Sequence, residues 1–156
     1  MQSFVLLIWL TFCAAQDARQ RRVANALTMG AGALALGFLL WTGTTWIGAE
    51  AGQGGWAFLL ALLFTLPGYL MGRMGAGDVK LMTALGLATD GMFILWTFVG
   101  AGIASVLWLL LAPRVWLHMS QGLRERLRYL GPDMSKKLPF APFVLIGTSL
   151  AWYWIH

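Results

Sequence analysis

Every lysine and arginine of this chain falls between long apolar runs, and only in alternate gaps. Six apolar stretches can be read, at 2–16, 23–47, 56–71, 79–88, 92–113 and 138–155. Arg19, Arg21 and Arg22 lie in the first gap, Arg73 and Lys80 in or beside the third. Arg114, Arg124, Arg126, Arg128, Lys136 and Lys137 lie in the fifth, which accounts for all eleven. Glu50 and Asp90 alone carry charge in the other gaps. With 59% hydrophobic and 11% charged residues, the chain cannot clothe a soluble core in polar surface. It therefore reads as all-α, a polytopic membrane protein of about six transmembrane helices forming one domain over 1–156. Basic loops stay on the cytoplasmic side, so the odd loops are expected inside and both termini outside, in a cytoplasmic membrane. The net charge of +5 is thus a matter of orientation and anionic headgroups, and no nucleic-acid partner is expected.

The runs differ in length. A bilayer core needs about 20 helical residues. The second, fifth and sixth meet or approach that; the first and third are slightly short, and 79–88 is much too short. A short helix sunk into the protein and begun near Gly75–Asp78 is the preferred reading, with extension through Thr89 and Asp90 as the alternative. The first run lacks the basic start of a signal peptide, and Phe12 rather than a small residue precedes Cys13, so a retained helix is expected. Cys13, the single cysteine, reads as a small buried hydrophobe. Small residues four apart (Ala26 and Gly30, Ala31 and Ala35, Ala33 and Gly37, Gly100 and Ala104) suit close helix packing in lipid. Trp46, Trp56, Trp116, Trp152 and Trp154 sit near run ends, as interfacial anchors do. In 115–130, Trp116, Met119, Leu123, Leu127 and Leu130 are helically spaced, which predicts an amphipathic helix on the cytoplasmic surface. Gly131-Pro132 and 135–137 mark a flexible return.

Charge at membrane depth points to function. Of six acidic residues, Asp17 and Asp78 fall at run ends on the same predicted side. Two carboxylates held close cannot both ionise, so they share a proton. The ionised member can then take a proton from water while the protonated one bonds a scissile carbonyl. Gly75 and Gly77 would permit a backbone turn and the approach of an extended peptide. Asp78 would begin a helix, whose N-terminus favours its charge. The plain alternative is that each acid is solvated or caps a helix. His118 and His156, the only histidines, fall on opposite predicted sides, so no metal site and no metalloprotease is expected.

Three separated motifs resemble the type IV prepilin peptidases, membrane aspartyl proteases of the Gly-x-Gly-Asp class. Asp17 to Asn25 is similar to the first motif, an acid, a basic stretch and an aliphatic-Pro-Asn ending. Gly75-Ala76-Gly77-Asp78-Val79-Lys80-Leu81 matches the second. Pro139-Phe140-Ala141-Pro142-Phe143 with Gly147 is similar to the motif of the last span. The resemblance implies catalysis by Asp17 and Asp78 without a cofactor, with Gly75, Gly77, Lys80, Asn25, Pro139 and Pro142 shaping the site or binding substrate. It implies prepilin or pseudopilin precursors as partners, cut after a glycine at the cytoplasmic face, with a short basic leader and a glutamate shortly beyond the cut. Lys80 is the cation best placed to hold that glutamate; snorkelling to headgroups is its other reading. Ala24 stands where many members have proline, and the cysteine-paired cytoplasmic domain of longer members is missing. The chain thus looks like the short form of tight-adherence (Flp-type) pili, without N-methyltransferase activity. A non-catalytic assembly scaffold would need the two acids far apart, and a proton-coupled transporter would need them near mid-span.

Overall fold

The computed structural model describes residues 1–131 and 139–155, and every regular element among them is helical. The elements are α1 (Gln2–Gln20), α2 (Asn25–Thr42), α3 (Ala51–Leu70), α4 (Ala76–Ala88), α5 (Gly91–His118), α6 (Gln121–Arg126), a 3₁₀ turn (Arg128–Leu130) and α7 (Ala141–Ile155). Three of them, α2, α3 and α5, are long and apolar enough to cross a membrane. The apolar α7 has 15 residues, and the last turn of α1 carries Asp17 and Arg19. The expected return at 132 and 135–137, Lys136, Lys137 and His156 lie outside the described residues.

The fourth run is a short helix enclosed by protein, and its extension through Thr89 and Asp90 is ruled out. Thr89 has extended backbone, and Asp90 instead caps α5, accepting the Phe93 N–H at 2.9 Å. Helix α4 packs between α2 and α3, burying Leu81, Met82, Ala84, Leu85 and Ala88. The close seam with α3 needs Gly86, because a β-carbon there would lie 2.8 Å from the Ala57 carbonyl oxygen. At the far end, the Ile47 N–H reaches the Ala88 carbonyl at 3.3 Å and docks the 43–50 loop.

Other ends shift from the apolar boundaries. Helix α2 stops at Gly43, which takes φ 73°, so 43–47 belongs to the loop. Helix α3 starts five residues before the apolar run, at Ala51. Helix α5 continues through Pro113 to His118, so the segment 115–130 is helical in pieces rather than as one amphipathic helix. Met119 and Ser120 are extended, Arg124 donates to the Leu117 carbonyl at 2.8 Å, and Trp108 donates to the Leu130 carbonyl at 2.9 Å. These bonds fold the basic segment back on α5. Of the small-residue pairs, Ala35 and Gly100 are buried, whereas Gly30 and Gly37 face open space. Gly100 meets Gly147 of α7, the partner with which α5 packs most extensively. Cys13 lies in the core as expected.

Gly86→Ala should therefore push α4 off α3. Overpacking of this kind costs about 1–3 kcal/mol, read as a lower melting temperature in detergent. Gly37→Ala, where nothing lies within 4 Å of the added carbon, serves as the control. Equal melting temperatures would mean that the α3–α4 seam yields freely.

Candidate active site

The site forms where the C-terminus of α1 and the N-termini of α2, α4 and α7 meet. Helix α1 ends because Arg21 turns into the left-handed region (φ 53°, ψ 29°) and its N–H closes on the Asp17 carbonyl at 2.7 Å. The chain then reverses within a few residues. Ala24 has φ −59° and ψ 136°, angles a proline also takes. Its N–H, which proline lacks, donates to Gln16 Oε1 at 2.8 Å.

Asp17 is 4% exposed, and its Oδ2 accepts the Ala141 N–H at 3.0 Å. Ala141 is the first residue of α7, so the carboxyl satisfies a helix-end donor that would otherwise be orphaned. Asp17 lies just past the apolar run 2–16. Burial pushes its carboxyl above the usual range, against the opposing pull of the Ala141 and Phe140 N–H groups and the Arg21 charge.

Asp78 is partly buried in the first turn of α4. Gly75, not Asp78, is the N-cap, and Asp78 Oδ2 accepts the Gly75 N–H at 3.1 Å from the third helical position. The expected turn at the glycines moves as well. Gly75 has φ −82° and Gly77 is helical, while the left-handed residue is Gly72 at φ 70°. A β-carbon on Gly77 would come only to 3.9 Å from the Val23 backbone.

A cavity of about 590 Å³ brings Asp17, Asn25, Gly75, Gly77, Asp78, Lys80 and Pro139 together. Lys80 Nζ donates to Asn25 Oδ1 at 3.0 Å, joining α4 to α2. Pro142 does not line the cavity; it is partly buried in the first turn of α7, where a missing N–H costs nothing. Gln16, Gln20, Arg21, Arg22 and Arg73 also line it. The sequence reading passed over the two glutamines, although a polar residue closing an apolar run is a usable signal. Four cations and two carboxylates thus face one space. Among the described residues no three His, Cys, Asp or Glu side chains gather.

The arrangement offers two carboxyls in unlike settings, one buried and bonded to backbone, the other at a helix start. Residues 4–112 match the sequence model of the type IV leader peptidase family, a stretch that includes both acids. Neither a curated protein nor a solved structure matches the chain. With more than half of its 156 residues covered, the chain belongs to the type IV leader peptidase family.

Proposed function

We propose that Asp17 and Asp78 act as a proton-sharing pair that cleaves the leader from prepilin-type precursors. The observation that carries this reading is their common cavity, reached from helices 61 positions apart in the chain. Asp78 is the base: the Gly75 N–H and the start of α4 favour its ionised form. Asp17, whose burial favours the neutral form, is the acid. Asp78 takes a proton from water as its oxygen bonds to the scissile carbonyl carbon, and Asp17 gives its proton to the carbonyl oxygen. Collapse of the resulting diol breaks the C–N bond. Asp78 passes its proton to the leaving amine, and Asp17 recovers its own from the diol hydroxyl. The pair titrates jointly, so its pH–rate profile reports two macroscopic values.

The cavity lies at the end of the bundle bearing Arg19, Arg21, Arg22 and Arg73, in keeping with cleavage at the cytoplasmic face. Gly75 and Gly77 leave the start of α4 without side chains, which suits an extended peptide. An assembly scaffold has no use for a shared cavity, and a transporter would carry its acids deeper.

Asp17→Asn and Asp78→Asn should each abolish leader removal from a co-expressed precursor, scored as a mobility shift, while the protein still inserts. A carboxyl whose pKa is raised by folding stabilises the protein only in its neutral form, and that contribution fades as pH rises through the folded value. Asp17→Asn, which stays neutral, should therefore not lower the melting temperature at neutral pH. Substantial cleavage by either variant removes that residue from the pair.

Lys80 is proposed to hold the precursor's glutamate, since Asn25 binds its ammonium without neutralising it. Hydrogen bonds to charged groups are worth about 1.5–3 kcal/mol, or roughly ten- to a hundredfold in rate. Lys80→Gln should cost that factor with the normal precursor and much less when the glutamate is replaced. Equal losses with both precursors would assign Lys80 to the pair or to anchoring instead.

A further inference from the structure

A carboxamide carries an acceptor on one atom and two donors on another, so fixing one end aims the other. Gln16 Oε1 accepts the Ala24 N–H at 2.8 Å. A backbone N–H can only donate, so the amide oxygen faces Ala24 and the nitrogen, Nε2, turns away from it. Gln16 is partly buried and lines the cavity of about 590 Å³ that holds both acids. Among the described residues nothing else bonds its side chain. Two N–H donors thus stand in the cavity wall, braced by the turn between α1 and α2.

Gln20, one helical turn on, also lines the cavity, but it is exposed and no such bond fixes it. The side-chain donors of Arg21, Arg22, Arg73 and Lys80 in the same wall are cationic and favour anionic partners. The Gln16 amide is neutral and suits a neutral acceptor. The acceptor that every peptide brings, whatever its side chains, is the main-chain carbonyl. Only extended chain offers it, since a helix uses its carbonyls internally. A side chain already held in place also loses little freedom on binding.

Register favours the same partner. Asp17 is the next residue, and neighbouring side chains diverge by about 100° around a helix, so their tips stand well apart. In an extended strand, carbonyls facing one way recur every second residue, about 7 Å apart. A strand with its scissile carbonyl at Asp17 therefore presents a second carbonyl toward Gln16, two residues along. We propose that the Gln16 amide nitrogen binds the main chain of the precursor, donating to the carbonyl oxygen two residues from the scissile one; this rests on the peptidase reading above. Gln16 then binds substrate without acting as acid or base. The contact reads extension rather than sequence. It admits precursors with different side chains around the bond and refuses a segment still wound as a helix.

Thioamide substitution tests this, because sulfur is a poorer acceptor than oxygen. The full chain in detergent is given synthetic precursor peptides that span the bond. One has every carbonyl intact; two carry sulfur at the carbonyl two residues before or two residues after the scissile one. Sulfur at one of these positions should raise KM about two- to tenfold, the worth of one neutral hydrogen bond. Gln16→Met keeps the side-chain length and removes the donor. It should raise KM for the intact peptide by a similar factor with kcat unchanged, and sulfur at that position should then cost nothing more. Insensitivity of the original protein to sulfur at both positions overturns the proposal, even should Gln16→Met fail to insert. So does a Gln16→Met loss that falls on kcat, or one of equal size on all three peptides, which assigns Gln16 to bracing the turn alone. Failure of the original protein to cut any of the peptides refutes the peptidase reading, and the proposal with it.

Discussion

A helix of 13 residues cannot cross a bilayer, and a backbone that ends inside one must have protein around it. That constraint governs the arrangement of this chain. Helix α4 is covered by α2 and α3, and the covering is close because Gly86 presents bare backbone to Ala57 and Gly32 presents another bare face to Ala84. Being short, α4 begins at the end where α1 stops and α2 starts. Asp78 sits in that first turn, so the depth of one carboxyl follows from the length of one helix.

The other carboxyl depends on a different packing unit. Asp17 is fastened to the start of α7 by the bond to Ala141, and α7 lies along both α1 and α5. The two acids thus belong to two groups of helices, one containing α1, α5 and α7, the other α2, α3 and α4. The contact of α3 with α5 is the broadest seam between the groups. Lys80 bound to Asn25 stiffens one wall of the cavity, and Gln16 bound to the Ala24 N–H ties the walls together across the 21–24 turn. A membrane-embedded member of the type IV leader peptidase family assembled this way needs no large domain to bring its acids to one space.

Much of this was legible in the residues. Apolar runs between basic gaps gave the helices, and the motifs picked out Asp17, Asn25, Gly75, Gly77, Asp78, Lys80 and Pro139, which share the cavity. Pro142 belongs to the same motif as Pro139 but does not line the cavity, since motif membership does not say which face of α7 a residue occupies. Helix ends were less legible, since apolarity reports where a segment lies, not where its backbone bonding stops. Pro113 marked an expected end yet lies inside α5, and the polar start of α3 at Gly52 and Gln53 hid its first turn. The role of Asp78 at the third position rather than at the cap turns on φ and ψ of Gly75, which no composition reveals. The count of about six spans rested on run length; length and apolarity together single out three.

The hydrogen bond between Gln16 and the Ala24 N–H limits what position 24 can hold. A proline at position 24 would fit the local backbone angles but would delete the donor, leaving the Gln16 amide oxygen without this partner beside the cavity. Positions 16 and 24 therefore form a coupled pair, in which the glutamine gains this use only where proline is absent.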